Sequence, residues 1–262
     1  MRHGLAALWA ESLKARRSKV PWLTALGFSL APLMGGLFMV ILKDPARARS
    51  MGLISAKAQL TAGVADWPTF LGVLAQATAV GGAMLFALVT AWVFGREFAD
   101  GTVKDLLALP TPRATIVAAK FVVVAVWGTA LAALVLALGL VVGAAVGLPG
   151  WSWALLVRAT GDLAATACMT LALMPPVALL ASIGRGYLAP VGWAILTVFL
   201  AQILAAIGWG SWFPWSVPPL FAGLAGPRSA QLGAHSYVVV AVTFAAGLAS
   251  TFTWWQKADQ SR

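Results

Sequence analysis

The chain is short of charge, and that shortage fixes its solvent. Only 10% of its 262 residues are Asp, Glu, Lys or Arg, against 61% that are hydrophobic. A soluble domain carries roughly 25% charged residues. Mean hydropathy is +0.88, so too few polar groups exist to clothe a water-facing surface. Stretches of about ten residues alternating apolar with polar, the mark of a membrane barrel, are missing too. Long apolar runs stand in their place. In lipid the backbone must then satisfy its own N–H and C=O groups inside helices. Reactive side chains are equally scarce: one cysteine and two histidines in the whole chain. Cys168 lies inside an apolar run, where a lone thiol is packing material. His3 and His235 are isolated from each other, which argues against a metal site. No G-x-x-x-x-G-K-[ST], G-x-S-x-G or H-E-x-x-H occurs, so phosphate-loop, nucleophile-elbow and zincin chemistry have no carrier.

The charge that is present is lopsided, with Lys and Arg at 18 against Asp and Glu at 8, for a net +10. No basic run interleaves with aromatics in a polar segment, which argues against nucleic acid. Lys and Arg in this setting hold loops on the inner side, against anionic headgroups. The first such cluster is residues 1–19. Leu5, Leu8, Trp9 and Leu13 fall on one helical face, with Arg2, Glu11, Lys14 and Arg17 elsewhere. That pattern predicts a helix lying in the membrane interface; a plain basic leader to the first span is the alternative. A small-residue cleavage site after Leu42 is lacking, so the segment does not read as a signal peptide.

Six apolar runs follow: Val20–Leu42, Trp67–Gly95, Lys120 to Gly147, Leu156–Ile183, Tyr187–Trp209 and Ser236–Trp255. Each is long enough to cross a bilayer as a helix. Pro21 suits a first helical turn. Leu148-Pro149-Gly150 reads as a turn, and Pro175-Pro176 interrupts the fourth run. Gly35-Gly36, Gly81-Gly82 and the pair Gly139 and Gly143 permit close helix packing. With the N-terminus inside, the inner side collects Arg2, Lys14, Arg16, Arg17, Lys19, Arg96, Lys104, Arg113, Lys120, Arg185, Lys257 and Arg262. The outer side collects Lys43, Arg47, Arg49, Lys57, Arg158 and Arg228. The excess supports both termini inside. Asp162, four residues after Arg158, reads as an i,i+4 ion-pair partner at the rim rather than a proton relay.

Two connections stand out. The inner one, FGREFADGTVKDLLALPTPRATIVAAK, holds an Asp100-Gly101 turn and then Thr102, with Asp105 three residues on, as in a capping box. Val103, Leu106, Leu107 and Leu109 form the apolar side of a short helix that Pro110 and Pro112 stop. Exposed leucine rimmed by charge marks a docking site; the same helix could instead pack on the membrane surface or on the chain's own inner ends. The outer one, GWGSWFPWSVPPLFAG, gathers Trp209, Trp212, Phe213 and Trp215, an aromatic belt, with Pro214, Pro218 and Pro219. The prolines forbid a continuous span. Short helices dipping back from the outer face would fit, as would a surface loop pinned by its tryptophans.

The inner loop resembles the cytoplasmic loop of ABC type 2 permeases, which place Glu, Gly-Thr, a basic residue, Leu-Leu, Pro, Arg and Lys in that order. Here these are Glu97, Gly101, Thr102, Lys104, Leu106, Leu107, Pro110, Arg113 and Lys120. The resemblance covers essentially the whole chain, and its strongly basic first outer loop is the departure. It implies an all-α integral membrane protein with six transmembrane helices, N-in and C-in. It also implies an N-terminal interfacial helix (1–19), a coupling loop (96–114) and an outer re-entrant hairpin (210–234), all within one domain, 1–262. Glu97, Thr102, Lys104, Asp105, Leu106, Leu107 and Arg113 would couple to an ABC ATPase subunit. Trp212, Phe213, Pro214, Trp215, Pro218 and Pro219 would form the re-entrant segment. By the same resemblance the chain is not an enzyme but a multi-pass permease of the cell membrane. It binds no cofactor, ATP-Mg sitting on the partner, and it pairs with a second permease, identical or not. Its cargo would be hydrophobic or amphipathic, such as a peptide antibiotic or a lipid. An ion-coupled secondary transporter, or a membrane scaffold or immunity protein, are the competing classes.

Overall fold

A computed structural model describes residues 2–44, 64–108, 110–224, 226 and 232–257, with side chains from residue 4 onward. Arg47, Arg49, Lys57, Leu109, Pro227, Arg228 and Arg262, and the side chains of Arg2 and His3, lie outside the described residues. The described residues are helical, with no strand among them. They form α1 (Arg2–Arg17), α2 (Val20–Lys43), α3 (Trp67–Ala99), α4 (Val103–Leu107), α5 (Arg113–Val146), α6 (Trp153–Ala172), α7 (Met174–Ile183), α8 (Leu188–Ala206), α9 (Val217–Phe221) and α10 (Ala234–Lys257). Six stretches are long and apolar enough to cross a membrane: α2, α3, α5, α6 with α7, α8 and α10. The chain is therefore a multi-pass membrane protein.

Local chemistry sets the helix ends. Asp66 caps α3 by accepting from the Thr69 N–H at 2.9 Å, with proline in the first turn. Ser152 caps α6 in the same way, taking the Leu155 N–H at 3.1 Å. Gly147 ends α5 in the left-handed region, φ 67°. The Gly147 and Leu148 N–H groups return to the Ala144 and Gly143 carbonyls, a Schellman closure that favours glycine. The Lys43 ammonium donates to the Val146 and Gly147 carbonyls, a cation at the negative end of α5. Pro175 and Pro176 lack N–H groups, so the fourth span breaks at Leu173 into α6 and α7.

The third span differs from its sequence reading. It begins at Arg113, directly after Pro112, so Lys120 lies within the helix and is fully buried. A lysine ahead of an apolar run reads as loop; here a carboxylate cluster draws it inside. The inner connection is correspondingly shorter, because α3 continues through Ala99.

α3 is the central helix, packed against α2, α5, α6, α7 and α8. In its most apolar stretch 56% of residues are buried, against 22% for α8 and for α10. Phe70, Leu74, Phe86, Val89 and Phe94 of α3 are fully enclosed. The outward surface is apolar as well: Trp22, Leu26 and Leu37 of α2, Val126 of α5, Phe199 and Ile203 of α8, and Val242 of α10 are all at least half exposed. A surface of that kind belongs in lipid.

Candidate functional site

One end of the bundle gathers α1, α4, the end of α3, the start of α5, the 184–187 turn and the end of α10. At its centre is a buried ionic network. The Lys120 ammonium donates to Glu97 Oε1 and Oε2, both at 2.9 Å, to Glu11 Oε2 at 3.2 Å and to the Val93 carbonyl at 2.7 Å. Lys14 bridges the same two carboxylates, 2.6 Å from Glu11 Oε1 and 2.9 Å from Glu97 Oε1. Two cations thus balance two anions. Glu11, Glu97 and Lys120 are almost wholly buried, a setting in which charges persist only when paired. Burial alone would lower the Lys14 pKa, but Glu97 and Glu11 outweigh it and hold it above the ordinary lysine value. The network fastens α1 to α3 and α5.

This arrangement sets the orientation of α1. Glu11 and Lys14, the polar residues, turn into the protein, while Leu5 and Trp9 stay 69% and 68% exposed. The rest of the apolar side is more enclosed, with Leu8 packed against the core and Leu13 half-buried. Glu97 is likewise enclosed rather than displayed on a loop.

Around the network the residues of the expected coupling loop separate into two groups. Thr102 occupies the N-cap position of α4, but its side chain makes no capping hydrogen bond; the expected capping box does not form. Leu106 and Leu107 are half-buried against the core. Thr102, Lys104 and Asp105 are exposed. Arg113 donates from Nη1 to the Trp255 carbonyl at 3.2 Å, and Trp255 Nε1 donates to Ser182 Oγ at 2.9 Å. Phe98 meets Trp254 and Trp255 edge-on at 5.9 and 5.8 Å. Gly95 sits against the Gly186 carbonyl, where a Cβ would come within 2.8 Å, so the 184–187 turn presses on α3. Arg185 holds φ at 49° in that turn, a strained conformation outside glycine. α4 packs on the end of α3, and α3 in turn meets α10 through Phe98.

At the opposite end, the segment before α10 is made of two single 3₁₀ turns, Gly210–Trp212 and Pro214–Ser216, followed by α9. Trp212 is exposed and stacks on His235 with ring centroids 4.3 Å apart. Trp215 packs on Trp193 at 5.5 Å and on Phe213 at 5.6 Å. Val217, Pro218, Pro219 and Leu220 are buried among α3, α6 and α10. Ser216 Oγ donates to the Ala201 carbonyl at 3.0 Å. Enclosure by protein is the condition under which irregular backbone is tolerated at membrane depth.

Between these ends runs an apolar groove of about 820 Å³, walled by α5, α6, α7 and α10. Thr129, Thr160 and Cys168 are the few polar or polarizable groups in a lining otherwise of Ala, Leu, Val, Phe, Met and Pro. Sequence reading missed both the groove and the network, since each is assembled from helices distant in the chain.

Residues 7–202 match the family model described as ABC-2 family transporter protein. The chain is also similar to the bacitracin transport permease protein of Bacillus licheniformis, 25% identical over 179 residues, which cover 68% of this chain and 85% of that protein. No solved structure matches the chain.

Proposed function

The chain belongs to the ABC-2 family of transporter proteins, and from that premise we propose that it is the membrane-spanning permease of an ATP-driven exporter, coupled to a separate ATPase through α4. The observation that carries the coupling is the seat of α4. Its Leu106 and Leu107 grip the core while Lys104 and Asp105 point outward, and it packs on the end of α3, the helix with the widest set of neighbours. A push on the exposed face of α4 would reach the centre of the bundle.

In this reading both termini face the cytoplasm, the positive end holding α1, Lys104, Arg113, Arg185 and Lys257. The segment around α9 dips back from the outer face as a re-entrant element. Two permeases and two ATPase subunits make the working unit, and ATP-Mg resides on the ATPase. Nucleotide shifts the permease between states only through a difference in how the ATPase docks on each. The apolar groove supports a hydrophobic or amphipathic cargo, such as a peptide antibiotic or lipid, and the name of the Bacillus relative agrees with that class.

The test is co-purification of an ABC ATPase with the chain in mild detergent. Lys104→Glu with Asp105→Lys reverses the exposed charges and leaves the buried leucines in place. The expected result is loss of the ATPase with an unchanged permease yield, because interfacial charges set docking orientation. Leu106→Asp with Leu107→Asp should also release it, by unseating α4 from the core. An ATPase that stays bound in both variants removes α4 from the coupling role. If no ATPase joins even the unaltered chain, an ion-coupled transporter or a non-transporting scaffold takes the place of this reading.

A further inference from the structure

A second, polar recess of about 550 Å³ opens between α1, the end of α3 and the start of α8. That volume is in the range of small-ligand sites. Its charge is unevenly committed. Lys14 reaches the recess but is already held by Glu11 and Glu97. Arg17, at the exposed rim, forms no ion pair with another described residue. Arg96 lies over the Trp92 ring, 4.7 Å from its centroid. Its carboxylate neighbour Asp100 stands 3.9 Å away and is 55% exposed, a pair that water screens to little. Two guanidinium groups from two different helices therefore face one cavity with a single weak counter-charge between them.

Guanidinium forks match phosphate oxygens in geometry as well as charge. The Tyr187 hydroxyl in the same lining supplies a further donor, whereas the Ser18 hydroxyl is spent on the Ala15 carbonyl. The site also sits at the right depth. α1 lies at the ends of the spans with Leu5 and Trp9 turned outward, and indole rings partition to the headgroup level. Trp9 forms one wall of the recess, so lipid has access from that side. Basic pockets between membrane helices are suited to anionic headgroups.

We propose that this recess binds the phosphodiester headgroup of an anionic lipid, held by Arg17 and Arg96. The lipid comes from the leaflet in which α1 lies, and it joins α1 to α3 at a second point beside the ionic network. The inference does not depend on the ATPase or on the cargo.

Native mass spectrometry of the purified full chain, titrated with phosphatidylglycerol, phosphatidylcholine or inorganic phosphate, tests it. Phosphatidylglycerol should be retained in preference to phosphatidylcholine. Arg17→Gln, at a rim position without an ion pair, should weaken that retention about fivefold. Arg17→Gln with Arg96→Gln should weaken it about thirtyfold, following the usual contribution of each basic residue near an anionic surface. Arg16→Gln with Lys19→Gln removes the same charge from exposed positions outside the recess and should leave retention nearly unchanged. Equal loss in that control would replace the site with a diffuse basic patch and overturn the proposal. So would equal retention of phosphatidylcholine. Inorganic phosphate competing as well as the lipid would assign the recess to free phosphate instead.

Discussion

Lys120 has three protons to place, and the side chain finds acceptors for them in Glu97, Glu11 and the Val93 carbonyl. Substitution by methionine would leave two buried carboxylates sharing Lys14 alone. Breaking one member of a buried ion network costs about 3–5 kcal/mol. Lys120→Met should therefore lower the thermal midpoint of the detergent-solubilised protein strongly, and adding Glu97→Gln should restore part of the loss. An unchanged midpoint in Lys120→Met would show that the network contributes nothing to stability. Lys14 gives a second test. Its folded pKa is raised above 10.5, so its contribution is complete below the unfolded value and disappears only as pH climbs through the folded one. The difference in midpoint between wild type and Lys14→Met should stay flat from roughly pH 6 to 9 and shrink only at higher pH. A difference that fades toward neutral pH would mean that Lys14 is not held by Glu97 and Glu11. None of this was legible from the sequence. Glu11 and Lys120 are 109 positions apart, and Glu97 and Lys120 are 23 apart. A charge at the edge of an apolar run carries no label for its partner.

Glycines decide how closely the helices approach, and their neighbours differ in how far they can yield. At Gly36 and Gly139 an added Cβ would meet Val142 and Leu74 side chains. At Gly247 it would meet the ring and backbone nitrogen of Pro176, at 2.6 and 2.8 Å, on the helix that begins after the break in the fourth span. A proline ring at a helix start has no rotamer to give, so Gly247→Ala should destabilise the protein by about 1–3 kcal/mol. Gly72, on α3, faces open space. Gly72→Ala should be neutral or stabilising by about 0.5–1 kcal/mol through helix propensity alone. Thermal midpoints of the two variants, measured side by side, check the contrast. If both fell equally, close approach of α10 to Pro176 would not be the cause. The sequence displayed Gly139 and Gly143 as a packing motif and Pro175-Pro176 as an interruption. It gave no sign that Gly247 was the partner of the latter, because that contact joins helices separated by an entire span and the α9 segment.

Across the whole molecule, the six spans could be read from hydropathy because lipid leaves the backbone no alternative to helix. Their ends were harder to read. Lys120 masked the first two turns of α5, and the pattern of α1 did not show that Glu11 and Lys14 would turn into the protein. Orientation across the bilayer rests on where the cations collect. Lys104, Arg113, Arg185 and Lys257 share the end that carries α1, whereas Lys43 and Arg158 mark the other. A basic excess retained on the cytoplasmic side predicts α1 inside. Single cysteines can decide this once the native thiol is removed by Cys168→Ala, since Cys168 is exposed in the groove. Cysteines at Lys104, Arg185 and Lys257 should react with a membrane-impermeant maleimide only after the cells are opened. A cysteine at Arg158 or Trp209, both exposed at the opposite end, should react in intact cells. Labelling of Lys104→Cys from outside would invert the molecule, place α4 away from any cytoplasmic ATPase, and leave the coupling proposal without a surface on which to act.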